Sequence, residues 1–327
     1  MSTMIEVARR AKVSIATVSG VLNGSRYVSP GLKRRVLDAV GELDYTVNQI
    51  ARSLQSRRTH MAGMLVPDIS DPFHASVVRV VEESLRVAGY SLILGSLHDQ
   101  PEEQSRYLQI LRGNQVDGLL LYLVPGHEGE ICRLVEMKKP IVLMGRALQG
   151  FQADVVATDH VAGTRLAIEH LITRGHTRIG ILPGPASQTY SADRVTGWRA
   201  ALKKANLSAN PRYIGYGEFS FDSGSIAAST LLDLSPPPTA LFAGNFHVLI
   251  GILRVLRLRK IFRSRDMELM VSHDSEVLDA FDPPISSVDQ PSHELGLQGA
   301  ELLLKRIRQP GRPFKQVLLR PKLKIRS

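Results

Sequence analysis

The chain has 327 residues, of which 43% are hydrophobic and 22% are charged, and its formal net charge is +10. This composition is typical of a folded protein with two or three domains. Its single cysteine excludes an intramolecular disulfide framework and a cysteine-rich metal site. Because neither a secretory leader pattern nor an apolar run of about 18 residues occurs, we expect a cytoplasmic protein without a membrane span.

Much of the positive charge lies at the N-terminal end of the chain. Residues 1–60 hold ten Lys and Arg but four Asp and Glu, which gives +6 of the total +10. A basic segment at one end indicates a polyanionic partner, most often nucleic acid. A solvated basic face explains the charge on its own equally well.

Three short helices are predicted at the start of the chain, over 4–11, over 15–22 and from about residue 30. Ser14 is placed to cap the second helix, and Asn23-Gly24 to end it. Two helices joined by a tight turn and braced by a third are typical of a helix-turn-helix unit. The spacing alone also fits a small bundle used for protein contacts.

The second helix has an unusual outer face. Residues 14–17, 19 and 20 are mostly small and uncharged, whereas a surface helix ordinarily carries Lys and Glu there. A helix in the major groove needs short side chains and hydrogen-bonding groups at its N-terminal end. We therefore predict that residues 14–17 face base edges and that Ser19 serves a base or a phosphate.

A fourth short helix is predicted over 48–58, NQIARSLQSRR. Its apolar side chains share one face among arginines, and a helix this short needs packing to be stable. A DNA minor groove shared with a second copy would supply that packing, with Leu54 as the wedge between base steps. A flexible linker with an exposed Leu54 is the alternative.

From residue 60 onward, apolar strands alternate with amphipathic helices, which predicts parallel sheets with helices on both faces. Strands are expected at 61–66, 91–94, 118–123, 141–144, 179–182, 240–242 and 268–271. Helices are expected at 75–88, 102–111, 160–174, 191–205, 223–232, 248–257 and 293–307. The basic segment after Glu301 is expected to form a solvated helix end and an edge strand.

Ligands bind such sheets at the carboxyl ends of the strands, which face the cleft between the lobes of a two-lobed domain. The candidates near those ends combine aromatic rings for stacking with charged and amide groups for hydroxyls. They are Asp71, Phe73, Arg146, Arg194, Phe219, Asn245 and Asp274. A polar residue after a strand often only caps the next helix, so this alternative holds for each polar candidate taken singly.

The chain resembles the LacI/GalR family of bacterial transcriptional regulators from residue 4 to about residue 325. The resemblance rests on VARRAKVSIATVSGVLNGSRYVS, NQIARSL, GMLVPDISDPF, VDGLLL, HLITRGHTRIGIL, RVTGWRAAL and PPISSVDQP. It implies a small all-α helix-turn-helix headpiece at 1–47, a hinge helix and linker at 48–59, and an α/β two-lobed domain at 60–327 that is like periplasmic sugar-binding proteins. In that domain, we expect the first lobe at about 60–159 plus 289–317 and the second at about 160–288 plus 318–327.

The resemblance also implies a mechanism. A homodimer binds a pseudo-palindromic operator in double-stranded DNA, and a small metabolite held between the lobes alters DNA affinity allosterically. We predict a repressor, associated with the nucleoid when bound to DNA. DNA contacts are carried over to Ser14, Ile15, Ala16, Thr17, Ser19, Asn23, Tyr27, Asn48, Ala51, Arg52 and Leu54. Arg194 and Asp274, flanked by aromatic rings, favour a neutral sugar or sugar-like metabolite.

Four departures from the family pattern leave alternatives open. The usual Asn-Asp is Asn245-Phe246, the usual Gly-aromatic-Asp-Asp is SHDS at 272–275, a connection resembling GLRVP is KIFRSR at 260–265, and Gly20 replaces an often larger residue. A constitutive DNA-binding regulator with a degenerate effector site is therefore one alternative. A pure small-molecule-binding module is another, opposed by residues 1–58.

Enzyme motifs are not found in the sequence. It contains no G-x-S-x-G, Walker A or H-E-x-x-H pattern, and its histidines at 160, 170 and 176 are too scattered to indicate a metal site. We therefore predict no catalytic residue, no metal and no cofactor.

Overall fold

A computed structural model of the chain describes residues 2–23, 26–45, 58–98, 100–124, 129, 131, 133–134, 138–147, 150–261 and 266–326. Two compact units are present, Met1–His60 and Met61–Ser327. The predicted hinge contacts Asn48, Ala51, Arg52 and Leu54 lie outside the described residues.

The first unit packs three helices around a small apolar core. The helices are α1 (Met4–Ala11), α2 (Ile15–Asn23) and α3 (Pro30–Glu42). Val7, Val18 and Val36, one from each helix, are fully buried against one another and their neighbours. The helix-turn-helix prediction therefore matches the fold of this unit.

The turn between α1 and α2 follows from local chemistry. Lys12 ends α1 in the left-handed conformation, with a φ of 49°. The hydroxyl of Ser14 then accepts a hydrogen bond from the backbone N–H of Thr17 at 3.1 Å. This bond satisfies one of the free donors at the start of α2 and confirms Ser14 as its cap.

The second unit alternates strands and helices in the predicted manner. In chain order, they are β1 (Met61–Val66), α4 (Pro72–Val87), β2 (Ser91–Ser96), α5 (Pro101–Gly113), β3 (Gly118–Tyr122), β4 (Ile141–Met144), β5 (Asp154–Thr158), α6 (His160–Thr173), β6 (Ile179–Leu182), α7 (Thr189–Lys204), α8 (Phe221–Leu232), β7 (Ala240–Ala243), α9 (Phe246–Leu258), β8 (Glu268–Val271), β9 (Ser286–Asp289), α10 (Ser292–Arg308), β10 (Gln316–Leu319) and β11 (Lys322–Lys324).

The first lobe is built on a parallel sheet in the order β10-β5-β4-β3-β1-β2. Helices α4 and α10 pack together on one face, and α5 covers the other. The strands are apolar almost throughout, as expected for a sheet buried on both sides. The four inner strands, which lie between the edge strands β10 and β2, therefore hold the residues that follow them in fixed positions.

The second lobe has the strand order β11-β9-β8-β7-β6. Helices α8 and α9 cover one face, and α6 and α7 cover the other, where Trp198 is fully buried. The chain passes between the lobes three times, from β5 to α6, from β9 to α10 and from β10 to β11. Closely spaced crossings of this kind allow the lobes to move as rigid bodies about a few residues.

The predicted fold class is confirmed, with two differences. Strands β5 and β9 are missing from the prediction because both are short and polar at their ends, as with Asp154 and Ser286. Strand β11 is antiparallel to β9, since only Arg320 and Pro321 separate it from β10 in the neighbouring lobe.

The C-terminal tail forms edge strands, as predicted, but it is not simply solvated. Arg306 is 5% exposed and pairs with Asp154, and the Arg326 side chain is 4% exposed and pairs with Asp274 and Asp279. Both of these tail cations are buried and paired with carboxylates, which the charge pattern of the tail alone does not indicate.

Candidate DNA-binding face and ligand cleft

The N-terminal end of α2 presents a short, uncharged surface. Ser14, Ile15 and Ala16 are exposed, and Thr17 is half-buried. The hydroxyl oxygens of Ser14 and Thr17 lie 2.9 Å apart and share a hydrogen bond. Because these side chains are short, this end of α2 can approach base edges in the major groove closely.

The remaining predicted DNA contacts of the first unit lie further along the chain. Ser19 is half-buried on α2, and Asn23 is the last residue of that helix. Tyr27 is 88% exposed between α2 and α3. A tyrosine this exposed makes little contribution to the core, so its contact with DNA stays a prediction.

In the second unit, a cleft lies between the two lobes. It encloses about 720 Å³ of space free of protein atoms, including its opening to solvent. Six of the seven predicted effector contacts line it: Asp71, Phe73, Arg146, Arg194, Phe219 and Asn245. The carboxyl-end rule for parallel sheets therefore brings these residues together from both lobes.

Aromatic rings from the two lobes meet inside the cleft. Phe73, at the start of α4 in the first lobe, stacks on His273, which follows β8 in the second lobe. Their ring centroids are 4.2 Å apart, and the planes are inclined by 17°. On the other side of the cleft, the rings of Tyr190 and Phe219 lie 5.7 Å apart. Flat apolar walls of this kind suit a small ring-shaped ligand.

Arg194 projects from α7 into the cleft and is 2% exposed. Its Nη1 donates to the backbone carbonyl of Pro183 at 2.8 Å, and its guanidinium lies 5.4 Å and 5.5 Å from the ring centroids of Tyr190 and Phe219. Its Nε has no hydrogen-bond partner in the described part of the chain. Burial lowers the pKa of Arg194 to about 10, so it stays charged at neutral pH. A buried, incompletely paired guanidinium is costly unless a ligand completes it.

Two histidines of the cleft, His160 and His273, are neutral at physiological pH. Burial lowers the pKa of His160 to about 3, with a further contribution from the Arg194 charge. Burial also lowers the pKa of His273 well below its ordinary value. The Nδ1 of His273 is buried and lacks a hydrogen-bond partner among the described residues. Neutral imidazoles can donate to or accept from a ligand hydroxyl.

Two of the predicted polar contacts also have a local task. The carboxylate of Asp71 accepts from the N–H of Phe73 at 2.9 Å and caps α4. The side-chain oxygen of Asn245 accepts from the N–H of Val248 at 2.9 Å and caps α9. The capping alternative therefore holds for both residues, although both still line the cleft.

The structure places Asp274 outside the cleft, contrary to the sequence prediction. Its carboxylate accepts from Ser287 Oγ at 2.7 Å, from Arg326 Nη2 at 2.7 Å and from Lys324 Nζ at 2.9 Å. Burial alone would raise the pKa of Asp274, but these three hydrogen bonds lower it. Strand β11 pairs beside β9 and brings its cations to this carboxylate, so the preceding residue, His273, faces the cleft instead.

Sequence analysis missed several other residues of the cleft wall. They are His74, Tyr122, His160, Tyr190, His247 and Gln290. Two of them carry a usable signal, because Tyr122 ends strand β3 and Gln290 follows strand β9. The others lie on helix starts, where an isolated sequence does not show which side of the helix meets the cleft.

His247 connects the two lobes at the edge of the cleft. Its Nε2 lies 3.1 Å from Ser70 Oγ and 3.6 Å from the carboxylate of Asp68. Both partners follow β1 in the first lobe, whereas His247 starts α9 in the second. Together with the Phe73–His273 stack, this contact holds the lobes against each other.

These features define a class of protein. A three-helix unit with a short, uncharged helix face precedes a two-lobed α/β domain with a ligand cleft. No helix among the described residues is long and apolar enough to span a membrane. Within the same residues, no three His, Cys, Asp or Glu side chains are grouped to hold a metal ion. The combination is that of a regulator with a DNA-binding headpiece and a ligand-sensing domain.

Comparisons with known proteins identify the family. Residues 3–48 match the model of bacterial regulatory proteins of the lacI family, and residues 59–324 match that of periplasmic binding proteins and the sugar binding domain of the LacI family. The ribose operon repressor of Escherichia coli K12 is 35% identical, covering 100% of this chain and 99% of its own length. The repressor PurR of Aliivibrio fischeri MJ11 is 33% identical, covering 100% and 98%.

A solved structure supports the same assignment. The transcriptional regulator CelR in complex with cellobiose aligns with a TM-score of 0.76 and 32% identity, covering 100% of this chain and 99% of that one. The chain therefore belongs to the LacI family of bacterial regulatory proteins. It is a DNA-binding transcriptional regulator with a small-molecule-sensing domain.

Proposed function

We propose that this regulator is a homodimeric repressor whose operator affinity is set by a sugar-like metabolite bound between the lobes. The observation that carries the proposal is the incomplete hydrogen bonding of the buried Arg194 in a cleft with aromatic walls. A ligand hydroxyl or ring oxygen beside its Nε would complete the guanidinium. We place the protein in the cytoplasm, where it meets operator DNA.

The ligand class follows from the groups that line the cleft. Phe73 and Phe219 offer ring faces, while Arg194 and His273 carry buried polar atoms without partners in the described residues. These groups suit a compact molecule with apolar faces and a rim of hydroxyls, which is the form of a pyranose or furanose sugar. The similarity to ribose operon repressors and to a cellobiose-bound regulator favours the same class.

Control of DNA binding requires that the ligand favours one arrangement of the lobes. The Phe73–His273 stack and the His247 contacts hold one such arrangement. A ligand that inserts against Phe73 must displace the His273 ring and so shift the lobes. In a dimer, this shift would reach the headpieces through residues 48–59.

We infer the homodimer from the LacI family, to which the chain belongs, since a pseudo-palindromic site requires two headpieces.

The proposal is tested in two steps with the purified full-length protein. Genomic DNA fragments are selected at physiological salt, and recovery of one pseudo-palindromic site is expected. Thermal unfolding is then measured with D-ribose, cellobiose, a purine base and an amino acid. We expect a sugar to raise the unfolding temperature and to change operator affinity by the same factor by which the operator changes sugar affinity.

Other outcomes would overturn parts of the proposal. Stabilisation by the purine base or the amino acid alone would contradict the sugar assignment. Equal sugar affinity with and without operator would contradict allosteric control. A preferred DNA site with no response to any small molecule would favour the constitutive regulator.

A further inference from the structure

Gly20 lies on α2 at a position where a side chain would collide with Arg26. A Cβ atom added at Gly20 would lie 2.7 Å from Arg26 Nε and 2.9 Å from its Cγ. Contacts this short are not tolerated, so even alanine would displace the arginine side chain. Glycine weakens a helix by up to about 1 kcal/mol relative to alanine. At this position it leaves the surface of α2 open for the arginine.

A hydrogen bond holds Arg26 against the same helix. Its Nη2 donates to Thr17 Oγ1 at 3.1 Å, and that hydroxyl lies 2.9 Å from Ser14 Oγ. Arg26 is exposed, and no carboxylate pairs with it in the described ranges of the chain. The guanidinium therefore lies beside Ser14 and Thr17, at the end of α2 that is predicted to meet DNA.

This placement supplies a chemistry that the rest of the face lacks. The side chains of Ile15 and Ala16 carry no hydrogen-bonding groups, and the hydroxyls of Ser14 and Thr17 bond to each other. Guanine presents two acceptors, O6 and N7, in the major groove, and a guanidinium matches both with paired donors. Arg26 can form such a pair and is bonded to Thr17 of α2 itself, whereas Arg35 also lies near this end but donates to the backbone carbonyls of Ala11 and Lys12.

We propose that Arg26 contacts a guanine in each half-site of the operator and that Gly20 is the residue that permits it. The inference rests on α2 being the DNA-contacting helix of the proposed function. The arginine reaches the groove from the segment after α2 rather than from the helix itself. In this proposal, Arg26 determines specificity by its hydrogen bonds to guanine. Gly20 contributes by leaving room for the Arg26 side chain on the surface of α2.

The test compares operator selection by the wild-type protein with that by Arg26→Ala, Arg26→Lys and Gly20→Ala. We expect the wild type to select guanine at one position of each half-site. Arg26→Ala should lose about 5- to 150-fold of the preference for guanine over other bases there, with the remaining positions unchanged. Arg26→Lys keeps the charge but not the paired donors, so it should lose most of that preference while retaining more overall affinity.

Gly20→Ala separates this role from helix stability. Alanine should preserve or raise the thermal unfolding temperature of the headpiece, yet it should weaken guanine selection because it displaces Arg26. Arg34→Ala is the matched control, since it removes an exposed headpiece cation from α3. We expect this control to lower affinity to a similar extent on every DNA sequence.

Three results would overturn the inference. A uniform loss of affinity in Arg26→Ala, without a change of base preference, would make Arg26 a phosphate contact. An unchanged preference in Gly20→Ala would remove the role of the glycine. Failure of the wild-type protein to select any sequence would overturn the proposed function as well, whereas normal wild-type selection with an unaffected Arg26→Ala would overturn this inference alone.

Discussion

The ligand cleft and the C-terminal tail both bury charged side chains, but they pair them differently. In the tail, the fully buried Asp154 accepts from Arg306 Nε at 2.9 Å, from Arg312 Nη2 at 2.7 Å and from the N–H of Lys315 at 2.9 Å. In the cleft, the equally buried Arg194 has one backbone carbonyl as its partner and an unbonded Nε within the described residues. Asp154 forms salt bridges to two cations, which indicates a structural role, whereas Arg194 has no salt bridge among the described residues, which indicates a place for a ligand. An unbonded Nε does not by itself make this distinction, because Arg312 Nε in the tail also has no hydrogen-bond partner among those residues.

Asp274 shows why the distinction matters. Its place after strand β8 predicts a ligand contact, yet its bonds to Ser287, Lys324 and Arg326 make it part of the tail. Two neighbouring residues, His273 and Asp274, thus belong to the two different regions. The contrast can be tested by changing one residue of each kind and measuring stability and ligand affinity separately.

The largest effect is expected from Asp154→Ala. Removing the carboxylate leaves the buried Arg306 and the half-buried Arg312 without their counter-charge, which should cost about 3–5 kcal/mol of unfolding free energy. Urea denaturation measures this loss. The exposed pair of Lys305 and Glu301 provides the control, since Glu301→Ala should cost at most about 1 kcal/mol. Similar losses in both variants would contradict the structural role of Asp154.

Arg194→Met should affect ligand binding rather than folding. A hydrogen bond from a charged donor contributes about 1.5–3 kcal/mol, so affinity for the sugar that stabilises the wild type should fall about 10- to 150-fold. The unfolding free energy should stay near the wild-type value, because methionine fills the space without a buried charge. Calorimetric titration and urea denaturation give the two quantities. A large loss of stability with intact binding would place Arg194 among the structural charges.

Asp274→Asn is expected to show the reverse of the Arg194 result. It removes the charge that faces Arg326 and Lys324 and should lower the unfolding free energy by about 2 kcal/mol. Sugar affinity should be unchanged, since the carboxylate lies outside the cleft. If Asp274→Asn lowered sugar affinity as much as Arg194→Met, the result would support the sequence-based prediction that Asp274 contacts the ligand.

A smaller effect is expected from pH. Because the pKa of His160 is about 3 in the folded cleft, the unfolded chain alone takes up its proton as pH falls through about 6.5. Stability should therefore fall between pH 7 and pH 5, by about 1 kcal/mol after allowance for residual hydration. Thermal unfolding measures the slope, and His160→Asn should reduce it.

The tail should respond in a different pH range. The pKa of Asp274 is lowered from its ordinary 3.8, so its contribution to stability is present above about pH 4 and is lost only in stronger acid. The slope of Asp274→Asn between pH 7 and pH 5 should therefore equal that of the wild type. A flatter slope in this variant would show that the tail, and not the cleft, titrates there.

The sequence predicts the regular parts of the fold well. The bounds of α1 and of strands β1, β4, β6 and β8 agree with the prediction, because each is a compact periodic or apolar segment between turn signals. Strands β5 and β9 escape it because they are defined by pairing with distant strands rather than by their own composition.

Within the cleft, the rule for parallel sheets finds residues in the segments and first helical turns that follow the strands. It places six of seven candidates correctly on the wall. It cannot show that Arg326, 52 residues further along the chain, binds Asp274 at 2.7 Å and draws it away. In the first unit, the sequence does not show that the Arg26 side chain lies against Gly20, because this contact depends on side-chain packing.

The stack of Phe73 on His273 has a consequence for the dose–response of the gene under control. The His273 ring covers the face of Phe73 that a ligand would stack on under the proposed function. In the protein without ligand, His273 therefore competes with the ligand for this face. Apparent affinity is the intrinsic affinity multiplied by the fraction of molecules in which the rings are parted. Under the proposed function, the metabolite concentration that switches transcription therefore depends partly on how strongly the His273 ring stacks on Phe73. Substitutions at position 273 would move that threshold even if they never touched the metabolite.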